Sequence, residues 1–487
     1  MSWKAQTLGE VLASRQGEAL VTRLGRFTYP QLFESAKGAA GAMQAMGIGR
    51  GDHVGILMGN DEKWLSLFFG AALIGAVTVP VNTRLKSDEI RYCIEQADCE
   101  ALFYVERFLN IDFAPMVRGL NIGKVEVSRA VPRGKFSLVK VEPGDLLLIQ
   151  FTSGTTAHPK GAMLTHDNML RDAWAAGTRV GIRPDDRYFN CRPFFHVAGS
   201  TLSALMSLVA GSCLVTLPTF EAGAALELME RERCTLISGN DTIFQMLMGH
   251  EDFPKRKLSL RGGWAAAGPQ TMRKIIDVLG AKGICAAYGL SEASPNVVMS
   301  DWRDPEELRV NGLPKPHDGV EVRIQDGEIQ VRGWNVMQGY YNNPEANAKA
   351  FSADGWLRTG DLGELTADGR LHMVGRLKDV FRVGGENVAP AEVEEVLLAH
   401  PAVEAAQVIG VPDARLGEVP CAYVTLKSGS AATESELVAW TKEKCANFRV
   451  PRYLRIVADF ESIGMTASGK VQKTRLREHA VREFKLG

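Results

Sequence analysis

The chain is short of the features that most directly betray a function. It has no excess of charge. Its 56 basic residues face 57 acidic ones for a formal net charge of −1, so no global field draws nucleic acid or an anionic membrane. It has no Cys-x-x-Cys pair, and its eight cysteines, at 93, 99, 191, 213, 234, 285, 421 and 445, show no zinc spacing. Several sit in apolar runs such as Gly283-Ile284-Cys285-Ala286, so reduced, buried thiols in a cytoplasmic protein are expected. The opening Met1-Ser2-Trp3-Lys4 lacks the basic-then-apolar pattern of a secretory signal, and the closing Lys485-Leu486-Gly487 is no peroxisomal address. No Gly-Lys-Ser/Thr closes a G-x-x-x-x-G frame, which excludes the Walker phosphate loop. Long apolar runs are also scarce. Residues 64–81 and 197–220 carry no charge and reach spanning length, but each is broken by a glycine followed by a β-branched run. Each therefore reads as a buried helix, a turn and a buried parallel strand, with no membrane span.

What the chain does have is size and alternation. At 487 residues, 45% of them hydrophobic, it exceeds one compact core, so two or more domains are expected. Helical and strand patterns alternate from residue 25 to about 240, with strands at 54–58, 102–105, 146–151, 214–216 and 236–237. That alternation predicts an α/β architecture with largely parallel sheets. From about 320 the texture changes to short strands at 320–324, 328–332 and 371–374 between Gly- and Asp-containing turns, a meander or small barrel. A smaller α+β segment follows, with a helix opening at Pro390 and a strand at 422–426. The expected fold is thus a large N-terminal domain, 1–377, of mixed and parallel sheets with helices plus a small barrel. A small mobile α+β C-terminal domain, 378–487, completes it.

One stretch stands apart: Phe151-Thr152-Ser153-Gly154-Thr155-Thr156-Ala157-His158-Pro159-Lys160-Gly161. It lies between a short apolar strand and Thr165-His166-Asp167, which reads as a helix start. Hydroxyls, backbone N–H groups and one lysine within ten residues make a cradle for polyphosphate. A polar surface loop draws on the same residue types, but length and order favour the cradle.

The stretch resembles the phosphate-binding motif of the adenylate-forming superfamily, usually Thr-Ser-Gly-Thr-Thr-Gly-x-Pro-Lys-Gly. Ala157 stands where a glycine is usual, and a glycine there can supply a positive φ that alanine adopts only with strain. Tyr288-Gly289-Leu290-Ser291-Glu292 resembles the family's Tyr-Gly-x-Thr-Glu, Gly355-Trp356-Leu357-Arg358-Thr359-Gly360-Asp361 its ribose motif, and Gly375-Arg376-Leu377-Lys378-Asp379 the next. Ser468-Gly469-Lys470 resembles the segment with the catalytic lysine, although Gly464-Met465 replaces the usual residues before it. Five motifs in family order, from 152 to 473, identify the chain as a member, and Pro193-Phe194-Phe195-His196 fits the acyl-CoA synthetase branch. Amino-acid-activating members carry an aspartate where His196 stands.

The resemblance implies an ATP-dependent ligase that joins a carboxylic acid to CoA through an acyl-AMP, with Mg²⁺ as cofactor. Lys470, His196 and Thr155 would be catalytic. Thr152, Ser153, Gly154, Thr155, Thr156, Lys160, Tyr288, Ser291, Asp361 and Arg376 would hold ATP or AMP, and Glu292 the metal. His196, Thr242, Ala266, Gly268, Gly289 and Asn296 would wall the acyl pocket. These are small and mostly apolar, which favours an uncharged medium-chain or aromatic acid. Gly384, Gly385, Phe448 and Arg452 would meet CoA, with a hinge near Lys378. The partners implied are small molecules only, and a homodimer is carried as one assembly. The runner-up is loading of a carrier protein, ahead of a light-emitting oxygenase. A non-enzyme is also carried: a nucleotide-binding regulator impaired through Ala157 and Met465, against which Lys470, Glu292 and Asp361 argue.

Overall fold

A computed structural model describes residues 3–127, 130–152, 159–427, 429–464 and 471–486. The chain divides into two compact units. One comprises Met1–Ala267, Thr271–Glu321 and Val331–Leu357; the other comprises Gly268–Gln270, Val322–Gln330 and Arg358–Gly487.

The first unit is built on two sheets. The larger runs, edge to edge, through Lys315–Pro316, Val298–Met299, Gly283–Tyr288, Gly262–Ala266, Leu236–Asn240, Arg187–Asn190, Cys213–Thr216, Glu18–Val21 and Arg26–Thr28. Its middle strands are parallel. The smaller runs through Lys160–Thr165, Leu146–Thr152, Val77–Pro80, His53–Leu57, Cys99–Tyr104 and Lys124–Val127, parallel except for its first pair. Helices carry the chain between parallel strands, as such pairing requires.

The uncharged stretch 64–81 shows how. Asp61 caps the helix Glu62–Leu73 by accepting from Trp64 N, and the helix is apolar on nearly every face. Gly75, at φ +71°, turns the chain into Val77–Pro80, and both elements are buried. Among the described residues no helix is long and apolar enough to cross a membrane. The cysteines follow the same logic: all eight are free and seven are buried. Burial pushes the Cys93 and Cys213 thiols up to about 12, which leaves them unreactive.

The edge strand Lys160–Thr165 is not left bare. Residues 338–341 run along it, with Gln338 N donating to Met163 O at 3.0 Å and Tyr341 N to Gly161 O at 2.8 Å. Asn347, on the helix Pro344–Ala350, accepts from Tyr340 N at 2.6 Å and donates to Tyr340 O at 3.0 Å.

The second unit holds most of a four-stranded sheet of Val320–Gln325, Glu328–Gly333, Leu357–Leu365 and Leu371–Arg376, paired in chain order as a meander pairs. It also holds a five-stranded sheet whose longest pairing is the hairpin of the edge strand Val403–Asp413 against Gly417–Leu426. The helix Pro390–Leu398 buries Val393 and Leu397 against that sheet.

Two histidines of the first unit are locked in the neutral form. The helix His166–Val180 starts where the sequence indicates, with Thr165 as N-cap in a capping box with Asn168. His166 is fully buried, and its Nδ1 accepts from Leu8 N at 3.1 Å. Burial pushes it down to about 4, and His317, buried likewise, to about 3. Both titrate at the ordinary value when the chain unfolds. Above pH 6.5 neither state binds the proton and stability is unaffected; as pH falls from 6.5 towards 4, only the unfolded chain binds it, and stability is lost. His166→Gln should therefore flatten the acid limb by on the order of 3 kcal/mol. The check is the thermal midpoint of both proteins at pH 7 and 4.5.

Candidate active site

The frame is a turn between two strands. Leu146–Thr152 and Lys160–Thr165 pair antiparallel with Thr152 directly opposite Lys160. The chain thus leaves the sheet and returns to it at one level. Ser153, Gly154, Thr155, Thr156 and Ala157 lie outside the described residues, so the site is built from the two ends of the loop. Thr152 Oγ1 donates to Glu292 Oε1 at 3.3 Å. Lys160 Nζ lies 5.2 Å from the centroid of the Tyr340 ring, within cation–π range.

Glu292 reaches this point because of a tight corner. The strand Gly283–Tyr288 ends, and Ser291 opens the 3₁₀ turn Ser291–Ala293. Gly289 makes the corner possible: a Cβ there would lie 1.9 Å from the carbonyl oxygen of Pro295. Tyr340 Oη also donates to Glu292 Oε1, at 2.9 Å. Burial and the neighbouring carboxylate push the Tyr340 phenol well above its ordinary range, so it stays a donor. Among the described residues no cluster of His, Cys, Asp or Glu could cage a metal. Magnesium needs no cage, because it is held through one or two carboxylates plus phosphate oxygens. A hard oxygen donor with one oxygen pinned by the Thr152 and Tyr340 hydroxyls and the other left for a ligand fits that ion.

The remaining residues of the first unit share one edge of the large sheet. Its strands Arg187–Asn190, Leu236–Asn240, Gly262–Ala266 and Gly283–Tyr288 are parallel neighbours. His196 follows the first, and Thr242 sits in the first turn of Asp241–Met248 after the second. Ala266 ends the third, exposed, and Tyr288 ends the fourth; Gly268 belongs to the second unit. The carboxyl ends of parallel strands are where open α/β sheets bind ligands. His196 Nδ1 accepts from Ala198 N at 3.1 Å, so the ring proton sits on Nε2. Burial, then the Arg192 guanidinium, push this imidazole down to about 4, keeping it uncharged at neutral pH. Asn296 is buried and occupied: its side chain meets His317 Nε2 at 2.5 Å and the Tyr288 carbonyl at 3.4 Å. Its backbone N–H donates to Asp172, a fully buried carboxyl that burial pushes far up.

In the second unit Asp361 and Arg376 are cross-strand partners, and Arg376 Nε reaches Asp361 Oδ1 at 3.2 Å. Gly384 and Gly385, at φ +59° and +99°, form the two-residue turn between Phe381–Val383 and Glu386–Val388, where both positions need positive φ. Phe448 packs on the core of this unit. Arg452 forms an ion pair with Asp413. Lys378 is exposed in the 3₁₀ turn Leu377–Asp379. Lys470 lies outside the described residues. Sequence reasoning missed Tyr340 and Asp172. The first had a legible signal, an aromatic pair after Gly339 just before an Asn-Pro helix start; the second is an ordinary aspartate until its burial is seen.

Comparison with known proteins bears on this geometry. The family model described as AMP-binding enzyme matches residues 11–341, and that of the AMP-binding enzyme C-terminal domain matches residues 392–470. YngI of Bacillus subtilis (strain 168) is 35% identical over 515 residues, covering 95% of this chain and 93% of YngI. The mitochondrial medium-chain acyl-CoA ligase ACSF2 of Mus musculus is 31% identical over 523 residues, covering 95% and 84%. The crystal structure of the anthranilate CoA ligase AuaEII in complex with anthranoyl-AMP superposes with a TM-score of 0.89 at 26% identity, covering 99% of this chain and 98% of that one. The chain belongs to the AMP-binding enzymes, in their acyl-CoA ligase branch, whose substrates are a carboxylic acid, ATP and CoA.

Proposed function

We propose that the protein activates an uncharged carboxylic acid, medium-chain or aromatic, as its acyl-AMP and passes the acyl group to CoA, in the cytoplasm. The observation that carries this reading is the convergence of Thr152, Tyr340 and Glu292 beside the Lys160 strand. The small residues at the adjoining strand ends support an uncharged tail, and so does the neutral His196. One relative is named for medium-chain acids, and a solved neighbour holds an aromatic acyl-AMP. Loading of a carrier protein is not favoured, because the named relatives are CoA ligases.

In the first step a carboxylate oxygen attacks the α-phosphorus and the bond to pyrophosphate breaks. The acid is ionised at neutral pH and needs no general base. The difficulty is bringing two anions together. Lys160, the 153–158 loop and Lys470 are the donors assigned to the phosphates, where preorganised charge counts most in the transition state. Magnesium on Glu292 would neutralise further phosphate charge. Asp361, held by Arg376, is assigned to the ribose diol; a carboxylate accepts both hydroxyls. Tyr288 offers its ring to the adenine and Ser291 its hydroxyl to the phosphate. In the second step the CoA thiol attacks the acyl carbon, AMP leaves, and the thiol proton is lost to solvent. Gly384, Gly385, Phe448 and Arg452 are assigned to CoA, and Lys378 to a hinge between residues 1–377 and 378–487.

The reading is tested by pyrophosphate release over a panel of straight-chain and aromatic acids, with and without CoA. Acid-dependent pyrophosphate, matched by AMP and by acyl-CoA only when CoA is present, is the expected result. ADP as product, or no acid dependence, would overturn it. Two variants separate the half-reactions. Lys470→Ala should slow acyl-AMP formation about 10²–10³-fold, the loss of one transition-state donor, and leave thioester formation from supplied acyl-AMP nearly intact. Lys378→Pro fixes φ where a hinge must turn, and should do the opposite. Equal losses in both steps would sink the respective assignment.

A further inference from the structure

Two side chains share the phosphate-facing end of the first unit with Glu292, and they hold it unequally. The Thr152 hydroxyl is 3.3 Å from Oε1, long for an O–H···O bond, whereas the Tyr340 hydroxyl is at 2.9 Å. Thr152 is also the last described residue before the loop. Tyr340 is fixed from every side. Its backbone is clamped at both N–H and C=O by Asn347, it bridges Ala162 on the strand Lys160–Thr165, and the residue is 9% exposed. A ring so anchored has only two torsions, both restrained by packing. The same ring carries Lys160 Nζ on its face at 5.2 Å.

We propose that Tyr340 is a positioning residue of the adenylation site. One rigid ring sets the orientation of the Glu292 carboxylate through its hydroxyl and the place of the Lys160 ammonium through its face. The acidic and basic ends of the phosphate site are thereby held in register by a single side chain from a third segment. The inference rests on the assignment of Glu292 to magnesium, and goes beyond it by naming what aims that carboxylate. Tyr340 would act through Glu292 and Lys160, the two side chains its ring and hydroxyl meet.

The test reads binding rather than turnover. The affinity of the full-length protein for a non-hydrolysable ATP analogue is measured by calorimetry in EDTA and again at millimolar Mg²⁺; the ratio is the magnesium-dependent gain. Tyr340→Phe keeps the ring and removes the hydroxyl. It should cut that gain about tenfold, the scale of one hydrogen bond to a charged group, while affinity in EDTA stays within about twofold. Asn347→Ala, which loosens the backbone clamp without touching the ring, should move the gain in the same direction. Tyr340→Leu should also weaken binding in EDTA, because Lys160 loses its support. If Tyr340→Phe and Asn347→Ala both keep the full gain while Glu292→Gln loses it, the positioning role is wrong and the metal assignment stands. If Glu292→Gln keeps the full gain, the assignment fails and the inference with it. A merely structural role would lower the thermal midpoint and leave the ratio untouched, which also counts against the proposal.

Discussion

The chemistry proposed for the first unit turns on one carboxylate. Glu292 receives hydroxyls from residues 140 and 48 positions away in the chain. The corner that presents it works only because Gly289 has no side chain to meet the Pro295 carbonyl. The strap that brings Tyr340 exists because an edge strand must be covered. A demand of backbone hydrogen bonding thus becomes a functional contact. Sheet edge, strap and carboxylate form one chain of cause, and its last link meets Thr152 at the end of the strand Leu146–Thr152.

The second constraint is the parallel sheet. Parallel strands need long crossovers, and these return every strand in the same direction. Their carboxyl ends therefore collect on one edge, and His196, Thr242, Ala266 and Tyr288 arrive there from stretches spread over almost a hundred residues of sequence. The neutral state of the half-buried His196 follows from the same packing: an imidazole whose Nδ1 accepts a backbone N–H, with desolvation and the Arg192 guanidinium opposing a charge, does not readily take a second proton. An uncharged wall of this kind suits an apolar acid better than a zwitterionic one.

Much of this architecture is legible in the amino-acid sequence. The helix start at Thr165-His166-Asp167, the helix–turn–strand reading of 64–81, the buried thiols and the meander after 320 rest on local rules of capping, glycine turns and period, and local rules survive folding. The five motifs point to the family. The aromatic pair at Tyr340 is visible in the sequence but its role is not, because that role is a long-range register: the sequence does not show which edge the pair will cover. Asp172 and His166 are not legible because burial, not identity, makes them unusual. Arg452 shows the converse, a residue singled out for its charge whose partner, Asp413, emerges only in three dimensions.

At the centre of the account stands direct attack of the acid's own oxygen on the α-phosphorus. Following that oxygen is the most direct test. An acid labelled with oxygen-18 in its carboxylate is turned over with ATP and CoA, and the AMP is analysed by mass spectrometry. Acyl-AMP formation followed by cleavage of the acyl carbon–oxygen bond must leave one labelled oxygen in each AMP and one in the thioester carbonyl. Unlabelled AMP, or label found in free phosphate beside ADP, would contradict the account.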